Sequence, residues 1–146
     1  MTAVLRIEVV RHGSPEYRAI VDLRYRVLRE PLGLDFSPEQ LAAEQDDVYL
    51  AARMNGELVG CLLFTKLQPD CWQMRQVAVD PEHQGQGIGS QLVRESERIA
   101  RMEGVTEIIL HARQTAVEFY LKLDYELYGD PFVEVGLPHR SMRKRP

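Results

Sequence analysis

Cysteine is scarce: only Cys61 and Cys71 occur in 146 residues. They form no C-x-x-C pair and no zinc spacing, so a disulfide scaffold and a zinc site are not expected. Both fall in strand-like runs and read as reduced thiols, one or both buried, which suits a cytoplasmic protein. A basic excess is also missing. The 18 Lys and Arg are outnumbered by 22 Asp and Glu, for a net charge of -4. That argues against general nucleic-acid binding, and the tail from Arg140 to Arg145 reads as a solvated end or a local anion contact. No apolar run approaches the roughly 18 residues of a membrane span. The start, MTAVLRIEVVRHG, lacks the basic-then-apolar order of a signal peptide. There are no repeats, low-complexity tracts or linkers. With 45% hydrophobic residues, one domain over 1–146 with a real core is expected.

What is present is a stretch that organises the rest, Gln76 to Gln91, QVAVDPEHQGQGIGSQ. It reads as the end of a buried strand, a turn at Asp80-Pro81, and a glycine-rich loop opening a helix. Glycines let the backbone curl close to a ligand. The first helical turn leaves N–H groups without intrahelical partners, at the positive end of the helix dipole. Together these favour a phosphate or pyrophosphate. A Walker A loop would need Gly-Lys-Ser/Thr, where Ile88-Gly89-Ser90 stands. A dinucleotide fingerprint would need a third glycine where Ser90 stands. A glycine turn that merely caps a helix is the plainer reading of the six residues alone.

In chain order, Val4 to Arg11 alternates as a strand, and Ser14-Pro15 starts a helix that Pro31 stops. Ser37-Pro38 starts a short helix to about Glu44. Glu44, Asp46 and Asp47 form an acidic cluster, read either as solvated charge or as a subsite attracting a cationic amine. Val48 to Met54 and Leu58 to Lys66 are strands joined by Asn55-Gly56, a strong hairpin signal. Cys71 to Val79 is the next strand. A helix from Gly87 to Glu103 ends at Gly104. Then follow a strand from Thr106 to Ala112 and a helix from Gln114 to Leu123. Closing strands are expected at Tyr125 to Tyr128 and Arg140 to Lys144, with a loop between them. The strand before the glycine loop and the one after its helix should be parallel neighbours.

The pattern Q-x-x-G-x-G at Gln84, Gly87 and Gly89, inside VAVDPEHQGQGIG, resembles the acyl-CoA pyrophosphate loop of the GNAT superfamily of N-acyltransferases. The element order matches that family over nearly the whole chain. The segment TAVEFYLKLDY resembles its A-x-x-x-Y-x-K-x-G-F/Y motif, and FVEVGLPHRSM resembles the ends of a subgroup of small bacterial members. The resemblance implies an α+β fold in α/β/α layers, with a mixed, mostly antiparallel sheet in which parallel strands four and five splay apart. It also implies acetyl transfer from acetyl-CoA to a primary amine, with no metal, on a small-molecule or peptide acceptor. A homodimer through the C-terminal strands is implied too. A non-catalytic acyl-CoA-binding module on the same fold is the alternative.

Roles follow by position. Backbone groups of Gln84, Gly85, Gln86, Gly87, Ile88, Gly89 and Ser90 would hold the pyrophosphate. Val77 and Val79 would offer backbone groups to the pantetheine, and Arg113, Ala116 and Tyr120 would line the same cofactor. Tyr120 matches the family's general acid for the departing thiolate. The base stays open between Glu134, His139 and a water chain. His83 could touch a phosphate, and His111 reads as a packed strand residue. Arg24, Arg26, Glu44 and Asp47 would recognise the acceptor. Two positions depart from the pattern: Asp124 replaces a glycine whose site needs φ > 0, and Arg113 replaces a common asparagine.

Overall fold

A computed structural model describes residues 4–146; the first three residues of the stretch read above for a leader lie outside them. The first strand, β1 (Leu5–Val10), gives way to α1 (Pro15–Arg24), where the Ser14 hydroxyl accepts from the Tyr17 N–H and Pro15 stands at the first position. The chain stays helical beyond α1. It widens into a π turn at Tyr25–Arg29 and tightens into a 3-10 turn at Glu30–Leu32. Pro31 therefore does not stop the helix where expected. It sits early in the 3-10 turn, where a missing N–H costs little, and Gly33 at φ 69 ends the run. The next helix, α2 (Pro38–Ala42), starts on a capping box in which Ser37 and Gln40 bond each other's backbone N–H.

Strands β2 (Val48–Met54), β3 (Glu57–Gln68) and β4 (Cys71–Val79) follow. Asn55 and Gly56 both take positive φ between β2 and β3, as a two-residue hairpin requires. Then come α3 (Ile88–Met102), β5 (Glu107–Arg113), α4 (Val117–Leu121), β6 (Glu126–Glu134) and β7 (Leu137–Lys144). The strand order is β1-β2-β3-β4-β5-β7-β6. The β4–β5 pair is parallel; β1–β2, β2–β3, β5–β7 and β6–β7 are antiparallel.

The chain divides into two compact units: residues through Thr65 with Gln76–Ser96, and Lys66–Arg75 with Glu97–Pro146. In the first, Tyr17, Ile20 and Leu23 of α1 pack on Tyr49, Ala51, Cys61, Leu63 and Ala78 of the strands. Polar groups are built into this core. Arg24 and Glu44, 1% and 4% exposed, form an ion pair at 3.0 Å. The Tyr49 hydroxyl donates to the Glu44 carbonyl, and the Thr65 hydroxyl donates to Asp47 at 3.0 Å. The acidic cluster is therefore not solvated charge at Glu44.

In the second unit, the expected loop between the closing strands is mostly strand. Gly129 and Pro131 fall at a register shift between Tyr128 and Phe132. An edge strand tolerates both at a bulge. The turn itself is only Val135 and Gly136, with φ of 47 and 76. A β-branched residue at positive φ is strained. Val135→Asn should therefore raise stability by about 1 kcal/mol, read as a higher urea midpoint with an unchanged slope.

Candidate active site

The glycine stretch lies in the first unit and begins with a distortion. Pairing of β4 with β5 covers Cys71–Met74 and Glu107–Leu110. Two residues on, Gln76 turns to φ 57, in the left-handed region. No residue type in the sequence signals this, since glutamine has no preference for that conformation. The Cys61 thiol donates to the Gln76 carbonyl at 3.9 Å. Burial pushes the Cys61 pKa up to about 12.

After β4, the Asp80 N–H donates to the Val59 carbonyl at 2.8 Å, and the Asp80 carboxylate accepts from the Glu82 N–H at 2.9 Å. The Gln84 side chain donates to the Val79 carbonyl at 3.2 Å. Gln84 thus fastens the loop to the strand through its side chain, while its own N–H donates to the Pro81 carbonyl at 3.5 Å. Gly85 and Gly87 both take positive φ, 81 and 78. A Cβ at Gly85 would meet nothing within 4 Å, so the loop backbone there is open to a ligand. Ile88 opens α3, and no acidic residue stands in its first turn. The N–H groups of Ile88, Gly89 and Ser90 are the ones a helix start leaves without intrahelical acceptors. The arrangement fits a pyrophosphate by backbone donors and dipole, without a basic side chain in Gln84–Gly89. His83 turns its Nδ1 toward Asp80 at 3.9 Å.

Gly60 was not singled out from the sequence. A Cβ there would lie 3.3 Å from the Ala78 carbonyl and 3.4 Å from Ile88. Its absence lets β3 approach both the strand before the loop and the helix after it. An isolated glycine inside a strand pattern is the available signal. An open depression of about 560 Å³ near Asp80 is lined by Asp22, Glu57, Asp80 and Glu82 around Arg26. Its carboxylates make it unsuited to phosphate. The residues expected to read the acceptor already have partners within the protein: Arg24 and Glu44 pair with each other, Arg26 pairs with Asp22 at 3.2 Å, and Asp47 accepts from Thr65.

In the second unit, Tyr120 lies on α4, 7% exposed. Its carbonyl accepts from the N–H of Leu123 and of Tyr125, both at 3.0 Å. Its ring meets Phe119 at 5.0 Å and Tyr125 at 5.7 Å. Burial raises its pKa above the usual phenol value. Asp124 takes φ 71, as expected of the position that replaces a glycine. Lys144 donates to Glu97 at 2.9 Å and to the Leu123 carbonyl at 2.7 Å, tying this turn to β7. Arg113 ends β5 opposite His139, and Ala116 sits in the 3-10 turn before α4.

Glu134 and His139 are not on a loop but on the facing ends of β6 and β7. His139 is 4% exposed, and its Nδ1 donates to the Leu137 carbonyl at 2.8 Å. Its Nε2 lies 3.6 Å from Glu134, whose other oxygen lies 3.4 Å from His111 Nδ1. His111 is therefore not merely packed; it belongs with these two. Among the described residues, no group of three His, Cys, Asp or Glu is arranged to hold a metal ion.

A strand distorted before a glycine loop that opens a helix, on this strand order, defines an acyl-CoA N-acyltransferase fold. The model of the acetyltransferase (GNAT) family matches residues 15–125, and the chain belongs to that family. The chain spans about half the length of the curated relatives it matches; one is the uncharacterized N-acetyltransferase YjcF of Bacillus subtilis, 30% identical over 73 residues, 49% of this chain and 52% of that protein. Among solved structures, an acyl-CoA N-acyltransferase from Pseudomonas aeruginosa superposes with a TM-score of 0.79 and 23% identity, over 97% of this chain and 99% of that one. A GNAT acetyltransferase from Elizabethkingia anophelis with acetyl-CoA bound superposes with a TM-score of 0.72 and 18% identity, over 97% and 98%.

Proposed function

We propose that the protein moves an acetyl group from acetyl-CoA to a primary amine of a small-molecule or peptide acceptor. The observation that carries this reading is the glycine loop at the start of α3, with open backbone at Gly85 and a helix start free of acidic residues. Acetyl-CoA bound to a solved structure of the same fold supports the choice of donor. Backbone groups from Gln84 to Ser90 hold the pyrophosphate, and Val77 and Val79, in the same unit, offer backbone groups to the pantetheine; Arg113 and Ala116, in the second unit, are assigned to the donor by their positions in the family's pattern. The amine nitrogen attacks the thioester carbonyl. The new C–N bond forms, the C–S bond breaks, and Tyr120 gives its proton to the departing thiolate. The proton leaving the amine goes to the Glu134–His139 pair. Two free thiols fit a reducing compartment such as the cytoplasm. Among the described residues no helix is long and apolar enough to cross a membrane.

A thermal melt tests the donor. At a hundredfold excess over its dissociation constant, acetyl-CoA should add about 2.7 kcal/mol, a rise on the order of 5–10 °C. CoA should do the same, and ATP and NAD should not. Gly87→Val places a β-branched residue at φ 78 and should abolish the rise while the ligand-free protein still melts cooperatively. Equal shifts for wild type and Gly87→Val would remove the loop from the site. A shift with acetyl-CoA but no CoA release across a broad amine panel would leave a binding module.

A further inference from the structure

We propose that Gly60, in the middle of β3, is a positioning residue for the acyl-CoA donor, setting the place of both stretches of backbone that bind it. Its own conformation does not call for glycine. Gly85 and Gly87 stand at positive φ, and Gly60 does not. Glycine inside a strand gives up packing and adds freedom to the unfolded chain, so a close contact must require it here. That contact is with two elements at once. A Cβ at Gly60 would lie 3.3 Å from the Ala78 carbonyl of β4 and 3.4 Å from Ile88 Cγ2 at the start of α3. Ala78 and Ile88 are each 2% exposed. Neither can swing into solvent, and a close-packed interior passes the displacement on.

What lies behind those two atoms is the donor site. β3 and β4 are neighbours in the sheet. The Asp80 N–H donates to the Val59 carbonyl at 2.8 Å, the Ala78 carbonyl lies against Gly60, and the Gln76 carbonyl accepts from the Cys61 thiol at 3.9 Å. Three successive residues of β3 thus meet every second residue from Gln76 to Asp80. Backbone groups of successive strand residues point to opposite sides, so those of Val77 and Val79 face away from β3. The Val79 carbonyl agrees, since its partner is the Gln84 side chain. Val77 and Val79 are the residues assigned to the pantetheine. The peptide planes on either side of Ala78 are rigid, so a shift of its carbonyl carries both neighbours with it. Ile88 in turn opens α3. Pushing it moves the N–H groups of Ile88, Gly89 and Ser90, which are assigned to the pyrophosphate. The side chain that Gly60 lacks therefore governs the spacing between the pantetheine strand and the phosphate helix. That these groups bind a CoA donor rests on the acyl-transfer reading.

The test is calorimetric titration of CoA into the wild type, Gly60→Ala and a control, Leu63→Val. Leu63 lies on the same strand and packs with Tyr17, Ile20 and Leu23 of α1. Gly60→Ala should raise the CoA dissociation constant at least about tenfold, because several hydrogen bonds on two elements lose their geometry together. Leu63→Val should lower the urea midpoint and leave the dissociation constant within about twofold, since its loss is one of core packing. A Gly60→Ala protein that binds CoA as the wild type does overturns the proposal. So does one that no longer folds, which would assign the glycine to the core alone, and so does equal weakening by Leu63→Val. Absence of CoA binding by the wild type would remove the donor reading itself, and the role of Gly60 with it.

Discussion

Glu44→Ala should lower stability by about 3–5 kcal/mol, because it strands a buried charge. Arg24 is 1% exposed and reaches Glu44 through a 3.0 Å ion pair and a second contact of 3.1 Å. Its guanidinium also lies 4.6 Å from the Phe36 ring. An aromatic face at that range contributes about 0.5–2 kcal/mol to a cation, too little to replace a carboxylate. The melting temperature should fall on the order of 10 °C. Replacing both partners, Arg24→Met with Glu44→Leu, should recover most of the loss, since the desolvation of two charges disappears with them. The pair is seen by denaturation in urea of the four proteins of the double-mutant cycle. A loss below about 1 kcal/mol for Glu44→Ala would mean that the pair behaves as a surface one.

Tyr120→Phe should lower kcat by about a hundredfold to ten-thousandfold, the usual range for a positioned proton donor. Packing against Phe119 and Tyr125 needs only the ring, so the melting temperature and the acetyl-CoA shift should stay close to wild type. The rate is read as CoA release with the best amine of a panel. Equal falls in kcat and kcat/KM would place the hydroxyl's contribution in the transition state. A fall of threefold or less would hand the role to water. Burial raises this phenol above its usual value, so it keeps its proton to pH about 10 and beyond. Wild-type activity should show no alkaline decline from this group below that pH. The sign for stability follows. A folded-state pKa above the unfolded one contributes fully below pH about 10, and the contribution is lost as pH rises through the folded value.

Local signals carried most of the architecture. Asn55-Gly56, Ser14-Pro15, Ser37-Pro38, Asp80-Pro81 and Gly104 each fix a turn or a cap within a few residues, and the element order follows from them. The glycine loop was readable because its chemistry is backbone chemistry. What escaped depends on partners distant in the chain. Glu44 is buried by Arg24, twenty residues earlier. His111 meets Glu134 only once the registers of β5, β6 and β7 bring Glu134 and His139 to its face. Gly129 and Pro131 read as loop because punctuation cannot show that they sit at a bulge of an edge strand. Gln76 gave no sign of its left-handed backbone, which neighbouring structure imposes.

The two thiols have a use apart from chemistry at the site. Cys61 is fully buried in the first compact unit, and Cys71 is half-buried in the second. An alkylating reagent attacks the thiolate, and burial raises the pKa of both. Each is thus a native clock for the opening of its own unit. If labelling of Cys61 and Cys71 by iodoacetamide slows together as denaturant is withdrawn, the two units open as one cooperative body. If Cys71 labels by a cheaper fluctuation, the half of the chain that carries Tyr120 and the histidine pair breathes independently of the glycine loop.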